Sequence, residues 1–270
     1  WMDWDNSYHT KDDENNYTIW HFLKVCFQKG WMYEGRDVMP WCPRCGTGLS
    51  EHEIVTEGYK EIVHPSVFLR LPLEGRAGES LLVWTTTPWT LTSNVAAAVH
   101  PELKYVKVRQ GDETFYLSKA LQGILKGDSQ VVEELPGKRL VGLRYRGPFD
   151  ELPAQQGVEH RVIPWNEVSE NEGTGIVHIA PGAGKEDFAL GKEFGLATIA
   201  PLDEFGNYTE GFDWLTGKSV FEVNEPIYDS LREKGLFYRV EDYAHRYPVC
   251  WRCDTELVFR LVDEWFISMD

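Results

Sequence analysis

Apolar positions along this chain change their period several times, and the changes divide it into segments. Between residues 13 and 29 they recur at helical spacing. Trp20, Leu23 and Phe27 share one face, Asp12 or Asp13 stands where a cap belongs, and Gly30 follows as a stop. Residues 31–40 read as a short strand or turn. From about residue 58 to 200 the pattern shortens into runs rich in β-branched and aromatic residues, at 67–71, 81–85, 105–108, 114–117, 158–163 and 175–179. Gly, Pro and Asp clusters punctuate them. Helical interruptions are predicted at 119–126 and 186–194. Over 219–234 the helical period returns, with Val220, Val223, Ile227 and Leu231 on one face and Gly235 as the stop. Pro226 lies inside that stretch, so the pattern allows two short helices, the second starting at the proline. Many short strands at modest spacing predict a small barrel or sandwich set between helical ends: a mixed α+β chain.

The bulk properties narrow the function. A formal charge of -16 over 270 residues is repelled by phosphate. That argues against a stand-alone RNA binder, though not against RNA held by a basic surface elsewhere in a larger protein. No run of about 18 apolar residues exists to span a membrane. The opening residues Trp1, Met2, Asp3, Trp4 and Asp5 lack the basic start and apolar middle of a signal peptide. The chain reads as a piece of something longer.

Five cysteines are present. Four form two C-x-x-C pairs, Cys42-Pro43-Arg44-Cys45 and Cys250-Trp251-Arg252-Cys253. Without a secretory segment, metal is the better reading than disulfides. Two thiolates on one tight turn supply half a zinc tetrahedron, and a site closed by four thiolates is structural. Ordinary zinc ribbons set their pairs roughly 15–20 residues apart. Here the pairs stand near opposite ends of the chain, so the intervening fold must bring them together. The alternatives are two separate knuckles completed by His52 or His245, or reduced cysteines. Cys26 falls beside the apolar face of the first helix and reads as a small core residue.

Two further peptides carry chemistry. Leu81-Leu82-Val83-Trp84 runs into Thr85-Thr86-Thr87, and Pro88 pushes Thr87 toward extended backbone while starting a turn through Trp89 and Thr90. The hydroxyls and free N–H groups of such a turn can converge on an ester oxygen and a water. By itself the peptide reads more readily as a strand with threonines on its exposed face, capped by a turn. No base adjoins them, so any catalysis here positions water and forms no acyl-enzyme. In the second peptide, Gly173-Thr174-Gly175 leads into Ile176-Val177-His178-Ile179, with alternation placing His178 on the side of Ile176. Pro181 ends that strand, Gly182-Ala183-Gly184 turns, and Glu186-Asp187 open a helix. His178 and Asp187 then line one pocket, where a carboxylate can hold an ammonium. Separately, a histidine on an apolar strand is usually a bonded core residue, and an acid at a helix start is favoured by the dipole. A His–Asp metal site lacks an evident third ligand.

Taken jointly, Thr-Thr-Thr-Pro-Trp-Thr-Leu and Gly-Thr-Gly-Ile-Val-His-Ile-Ala-Pro, with Asp nine residues after the histidine, resemble the editing insertion of isoleucyl-tRNA synthetases. The two cysteine knuckles are similar to that family's zinc-binding neck, and the stretch from Trp4 to Trp41 resembles part of its synthetic Rossmann half. The likeness covers the whole chain. Valyl and leucyl relatives carry Arg where Thr87 stands, which favours the isoleucyl member. Thr92-Ser93 stand where many members have a proline, and Gly182-Ala183 where an aromatic is common.

The resemblance implies a β-rich, barrel-like editing domain over 58–240. It would be inserted between a helix-and-knuckle segment of the synthetic half (1–57) and a second knuckle returning to that half (241–270). It implies hydrolysis of valine mis-esterified to isoleucine tRNA, within a cytoplasmic protein whose parent activity is ATP-dependent charging of tRNA with isoleucine. The partners would be mischarged Val-tRNA(Ile), engaged at its 3′-terminal adenosine, and the rest of the synthetase, with no membrane. Asp187 would bind the α-ammonium and His178 would wall the side-chain pocket. Thr85, Thr86, Thr87 and Thr90 would hold carboxyl, ribose and water, with Trp89 beside the ligand. Zinc on Cys42, Cys45, Cys250 and Cys253 would be structural, and no metal would act in the pocket. The synthetic signatures His-x-Gly-His and Lys-Met-Ser-Lys-Ser are not in the sequence, so this chain alone is not expected to activate isoleucine.

Overall fold

The computed structural model describes residues 3–269, so Trp1, Met2 and Asp270 lie outside the described residues, as do the side chains of Thr56 and Glu57. The chain forms two compact units. One is built from the segments up to Asp37 and from Val262 onward, the other from Val38–Leu261. In chain order the elements begin with α1 (Asp13–Gln28), β1 (Met32–Cys42), β2 (Thr47–Gly48), α2 (Glu51–Glu57), β3 (Tyr59–Pro72), β4 (Glu79–Thr85) and β5 (Ala96–Val99). Next come β6 (Lys104–Gln110), β7 (Glu113–Ser118), β8 (Gln130–Pro136), β9 (Arg161–Pro164) and β10 (Ile176–Ile179). The chain finishes with α3 (Lys185–Phe194), α4 (Asn224–Glu233), β11 (Phe237–Pro248) and β12 (Val258–Ile267).

The smaller unit contains α1. It ends where the sequence places its stop, with Gly30 at φ 73°. Asp12 occupies the cap position but makes no side-chain cap bond. Cys26 is buried, as a small core residue should be, while Trp20 and Phe27 remain exposed.

In the larger unit a six-stranded sheet runs in the order β11-β3-β4-β7-β6-β8, and a separate three-stranded sheet runs β10-β5-β9. The fold is mixed α and β as predicted, but it is not a closed barrel. Closure would require the β11 and β8 edges to pair, and they are the outermost strands on opposite sides of the sheet. β4 shows why its sequence is a near-continuous apolar run. Leu81 and Val83 face the main core, while Leu82 faces a second cluster with Val106, Phe115 and Leu117. A strand buried on both faces needs no polar side.

The predicted strands at 67–71, 81–85, 105–108 and 114–117 fall within β3, β4, β6 and β7, and the one at 175–179 becomes β10, which starts one residue later at Ile176. The run at 158–163 becomes a strand only from Arg161. Strands β5, β8, β11 and β12 go beyond the sequence reading. β5 is Ala-Ala-Ala-Val, whose small side chains carry little strand preference but let the core pack tightly against them. β11 is half-exposed and richly charged along its length, so its apolar signal is diluted. The 119–126 segment is a 3-10 helix over Lys119–Ile124, and 186–194 becomes α3. The 219–234 stretch does split, into a 3-10 turn over Val220–Glu222 and α4, which starts two residues before Pro226. Val220, Val223, Ile227 and Leu231 are all buried. Among the described residues no helix is long and apolar enough to cross a membrane.

Candidate active site

The threonine peptide sits where β4 leaves the sheet. Pre-proline backbone at Thr87 is held at φ -127°, ψ 72°, and Pro88–Ser93 coil into a 3-10 turn that is buried throughout. Thr85 Oγ1 accepts the Thr87 N–H at 3.1 Å. Thr90 Oγ1 donates to the Thr87 carbonyl at 2.8 Å. Thr86 and Thr87 remain half-buried.

The histidine peptide arrives on β10, which pairs antiparallel with β5, His178 opposite Ala97. Its glycines are set by close approach. A Cβ on Gly175, at φ 70°, would lie 2.4 Å from Ser118 Cβ, and one on Gly173, at φ 66°, 2.7 Å from the Trp84 ring. Only glycine serves at either place. The strand thus lies directly against β4 and β7, which brings His178 Nε2 to 3.0 Å from Thr90 Oγ1. The single Thr90 proton is committed to the Thr87 carbonyl, so His178 Nε2 carries the hydrogen and donates. His178 Nδ1 is then a buried lone pair with no partner among the described residues. Burial holds the His178 pKa down to about 4, so the ring is neutral at physiological pH.

Asp187 lies in the first turn of α3. Its Oδ2 accepts the Ala180 N–H at 2.7 Å, which ties the end of β10 to the helix start. A Cβ on Gly184 would come within 2.8 Å of the Asp187 carboxyl carbon, so that glycine makes room for the acid. Burial pushes the Asp187 pKa up to about 6, opposed by the Ala180 hydrogen bond.

These groups line one cavity of about 430 Å³. Thr85, Thr86, Thr87, Trp89, Thr90, His178 and Asp187, all singled out in the sequence, are on its wall. The sequence reading did not reach the aromatic remainder of the wall, Trp84, Trp165, Tyr247 and Phe259, nor Glu167 and Glu172. Apart from Trp84, on β4, they come from β11, β12 and the 165–175 loop, and no local motif marks them. It also missed the buried network that holds the 3-10 turn. Tyr208 donates to the Trp89 carbonyl at 2.8 Å and Gln155 Nε2 to the Thr92 carbonyl at 2.7 Å. Tyr145 donates to Asn94 Oδ1 at 2.8 Å. The polar run Thr92-Ser93-Asn94 inside an apolar stretch was the available signal, since buried polar groups must find partners.

The four paired cysteines meet within the larger unit, with all four Sγ atoms within 4.8 Å of one another. Cys42 and Cys45 each lie 3.5 Å from Cys253, and Cys45 lies 4.0 Å from Cys250. A tetrahedron with metal–sulfur bonds of about 2.3 Å has edges of about 3.8 Å, so the set fits a tetrahedral ion. The two turns are alike. Gly46 follows the first pair at φ 63°, and Asp254 follows the second at φ 60°. The Gly46 N–H bonds the Cys42 carbonyl and the Asp254 N–H the Cys250 carbonyl. Neither His52 nor His245 joins the cluster, and the Thr255 hydrogen bond draws Cys253 down to about 6.

Over residues 1–270 the chain matches tRNA synthetases class I (I, L, M and V), and it belongs to that family. Within it, the chain is similar to isoleucine–tRNA ligases. It is 44% identical to that of Pyrococcus abyssi over 284 residues, covering 100% of this chain and 26% of the relative. It is 43% identical to that of Thermus thermophilus over 275 residues, covering 99% of this chain and 26% of the relative. The chain therefore spans about a quarter of the length of these curated relatives. A solved structure described as the crystal structure of GlLeuRS-CP1 covers 67% of this chain and 99% of its own, at 16% identity and a TM-score of 0.50, a likeness of fold.

Proposed function

We propose that this chain is the editing region of an isoleucyl-tRNA synthetase and hydrolyses valine mis-esterified to isoleucine tRNA. The observation that carries the reading is the Thr90–His178 hydrogen bond, which joins the two motif peptides around one cavity that Asp187 also lines. In this reading residues 58–240 are the editing domain, and 1–57 and 241–270 connect it to the synthetic half. Ionised Asp187 holds the α-ammonium of valine. His178, neutral and fixed by Thr90, forms a rigid wall against which a longer side chain does not fit. Isoleucine and valine are the standard case in which one methylene gives a binding pocket too little discrimination, so a second sieve is needed.

Water attacks the ester carbonyl and the bond to the terminal ribose oxygen breaks. That oxygen takes up a proton to leave as the free hydroxyl, and valine departs as the carboxylic acid. In this reading Thr86 and Thr87, the half-buried hydroxyls of the turn, hold the water and the carboxyl or ribose oxygens. Thr85 and Thr90 are spent largely on shaping that turn. Orientation and donors aimed at the developing oxyanion supply the rate. Zinc on Cys42, Cys45, Cys250 and Cys253 closes the neck, with no ligand position left open for chemistry. The substrate reaches the cavity through the 3′-terminal adenosine, and the parent protein works in the cytoplasm.

The test is deacylation of Val-tRNA(Ile) and Ile-tRNA(Ile) by this chain with zinc supplied. Loss of valine with retention of isoleucine is the expected result. Equal loss of both, or binding of tRNA without turnover, contradicts the reading.

A further inference from the structure

Side chains that orient the ligands of a metal centre matter nearly as much as the ligands, and here one of them stands outside both cysteine motifs. Shortly after Cys45 the chain enters α2, with Ser50 as its cap. The carboxylate of Glu53 spends its two oxygens on different partners. Oε2 accepts the Ser50 N–H at 2.8 Å and the Ser50 hydroxyl at 3.0 Å, completing a capping box. Oε1 reaches across to the second knuckle. There it accepts the Trp251 indole N–H at 3.0 Å and an Arg252 guanidinium N–H at 3.0 Å. Trp251 and Arg252 are the residues between Cys250 and Cys253, and the Arg252 guanidinium lies over the Trp251 ring, 4.6 Å from its centre. α2 also meets that knuckle at its other end, where the Gly58 carbonyl accepts the Val249 N–H at 2.6 Å. On the apolar side, Leu49 and Ile54 pack in one buried cluster with Cys42, Cys250 and Leu257.

An exposed Glu–Arg pair is worth little by itself, because water screens it and two long side chains must be ordered. Here the ordering is already done. Oε2 is tied to the helix start, so the carboxylate is fixed before Oε1 meets its two donors. Both donors lie on the turn that sets the spacing of the last two sulfurs. We propose that Glu53 is a positioning residue for the metal centre: it holds the Cys250–Cys253 turn in the conformation the ion needs, and so raises zinc affinity without touching the ion. α2, which follows the first knuckle in sequence, is thereby the brace of the second.

The experiment is competition for zinc between the zinc-loaded chain and a chromophoric chelator, with the melting temperature recorded in parallel. Gln keeps a single acceptor oxygen, so Glu53→Gln cannot serve the cap and the knuckle together. It should bind zinc about tenfold more weakly than the wild type, the lower end of what such outer partners contribute. Trp251→Phe removes one donor from the same contact and should weaken zinc about threefold. The double variant should bind no more weakly than Glu53→Gln alone. Ser50→Ala controls for helix stability. It removes the cap hydroxyl but leaves the Ser50 N–H to hold Oε2, so it should lower the melting temperature and keep wild-type zinc affinity. Wild-type affinity in Glu53→Gln would overturn the proposal, as would losses that add in full in the double variant. A loss in Ser50→Ala equal to that in Glu53→Gln would mean that zinc affinity follows helix stability, and would overturn it too. If Glu53→Gln does not fold, Trp251→Phe combined with Arg252→Met decides, since it strips both donors and leaves the capping box intact. About tenfold weaker zinc binding there upholds the positioning role, and unchanged binding ends it.

Discussion

Replacing Asp187 by Asn tests the electrostatics of the pocket at one atom. The free protein holds Asp187 near pKa 6 because burial penalises its charge more than the Ala180 N–H supports it. An ammonium ligand binds the ionised form. Affinity for a non-hydrolysable valyl-adenosine analogue should therefore be level above about pH 7 and fall about tenfold by pH 5, as protonation competes. His178 stays neutral across that window, since burial holds it near 4. Asn keeps an oxygen for Ala180 but loses the charge. A hydrogen bond to a charged group is worth about 1.5–3 kcal/mol, so at pH 7 Asp187→Asn should bind about 10- to 100-fold more weakly, with no slope between pH 5 and 7. Stability moves the other way. An acid whose folded pKa is raised destabilises the fold once ionised, so wild-type stability should fall as pH rises from about 4 to about 6. The shift is on the order of 3 kcal/mol, reduced to about 1–2 by partial exposure of the carboxylate. Asp187→Asn should therefore be the more stable protein at pH 7 and lose that slope. Isothermal titration at four pH values and urea unfolding at the same values measure both. A flat wild-type binding profile, or an Asn variant that binds like the wild type at pH 7, would refute the reasoning.

Thr90→Val removes both the donor to the Thr87 carbonyl and the acceptor for His178 Nε2, leaving buried groups unpaired. It should cost about 2–4 kcal/mol by urea unfolding and, in the deacylation assay, relax discrimination against Ile-tRNA(Ile) as the histidine wall loosens. Gly175→Ala combines a left-handed backbone with a 2.4 Å approach to Ser118. It should lower the melting temperature by about 5–15 °C, against about 2–4 °C for Gly217→Ala, where φ is 79° and nothing lies nearby. Matching shifts would contradict the close approach. Native mass spectrometry should find one zinc per chain, and a chelator should lower the melting temperature while the pocket still hydrolyses its ester below that transition. Immediate loss of hydrolysis without unfolding would place the metal in the chemistry instead.

The sequence by itself determined what depends on neighbours along the chain. Helical spacing located α1, α3 and α4, and the apolar runs located β3, β4, β6, β7 and β10, because burial patterns repeat with the period of the local backbone. Thr85-Thr86-Thr87-Pro88 and Gly173-Thr174-Gly175 announced themselves because each residue type there answers a local demand: a pre-proline bend, or a positive φ that leaves no room for a side chain. Tertiary structure decided everything that needs partners distant in sequence. β5 is a strand because its alanines let β10 and β9 pair on either side, not because alanine prefers to extend. The open edges of β11 and β8, which the strand spacing had cast as a barrel, follow from strand order, and spacing carries no information about order. The same holds at the cysteine cluster and the candidate pocket. Cysteine pairs far apart in sequence come within 4.8 Å of one another only because β1 and the turn after β11 meet, and His178 finds the Thr90 hydroxyl only at another strand's end. A motif can specify the atoms of a site, but distances between its parts are set by the packing of side chains that the motif does not contain.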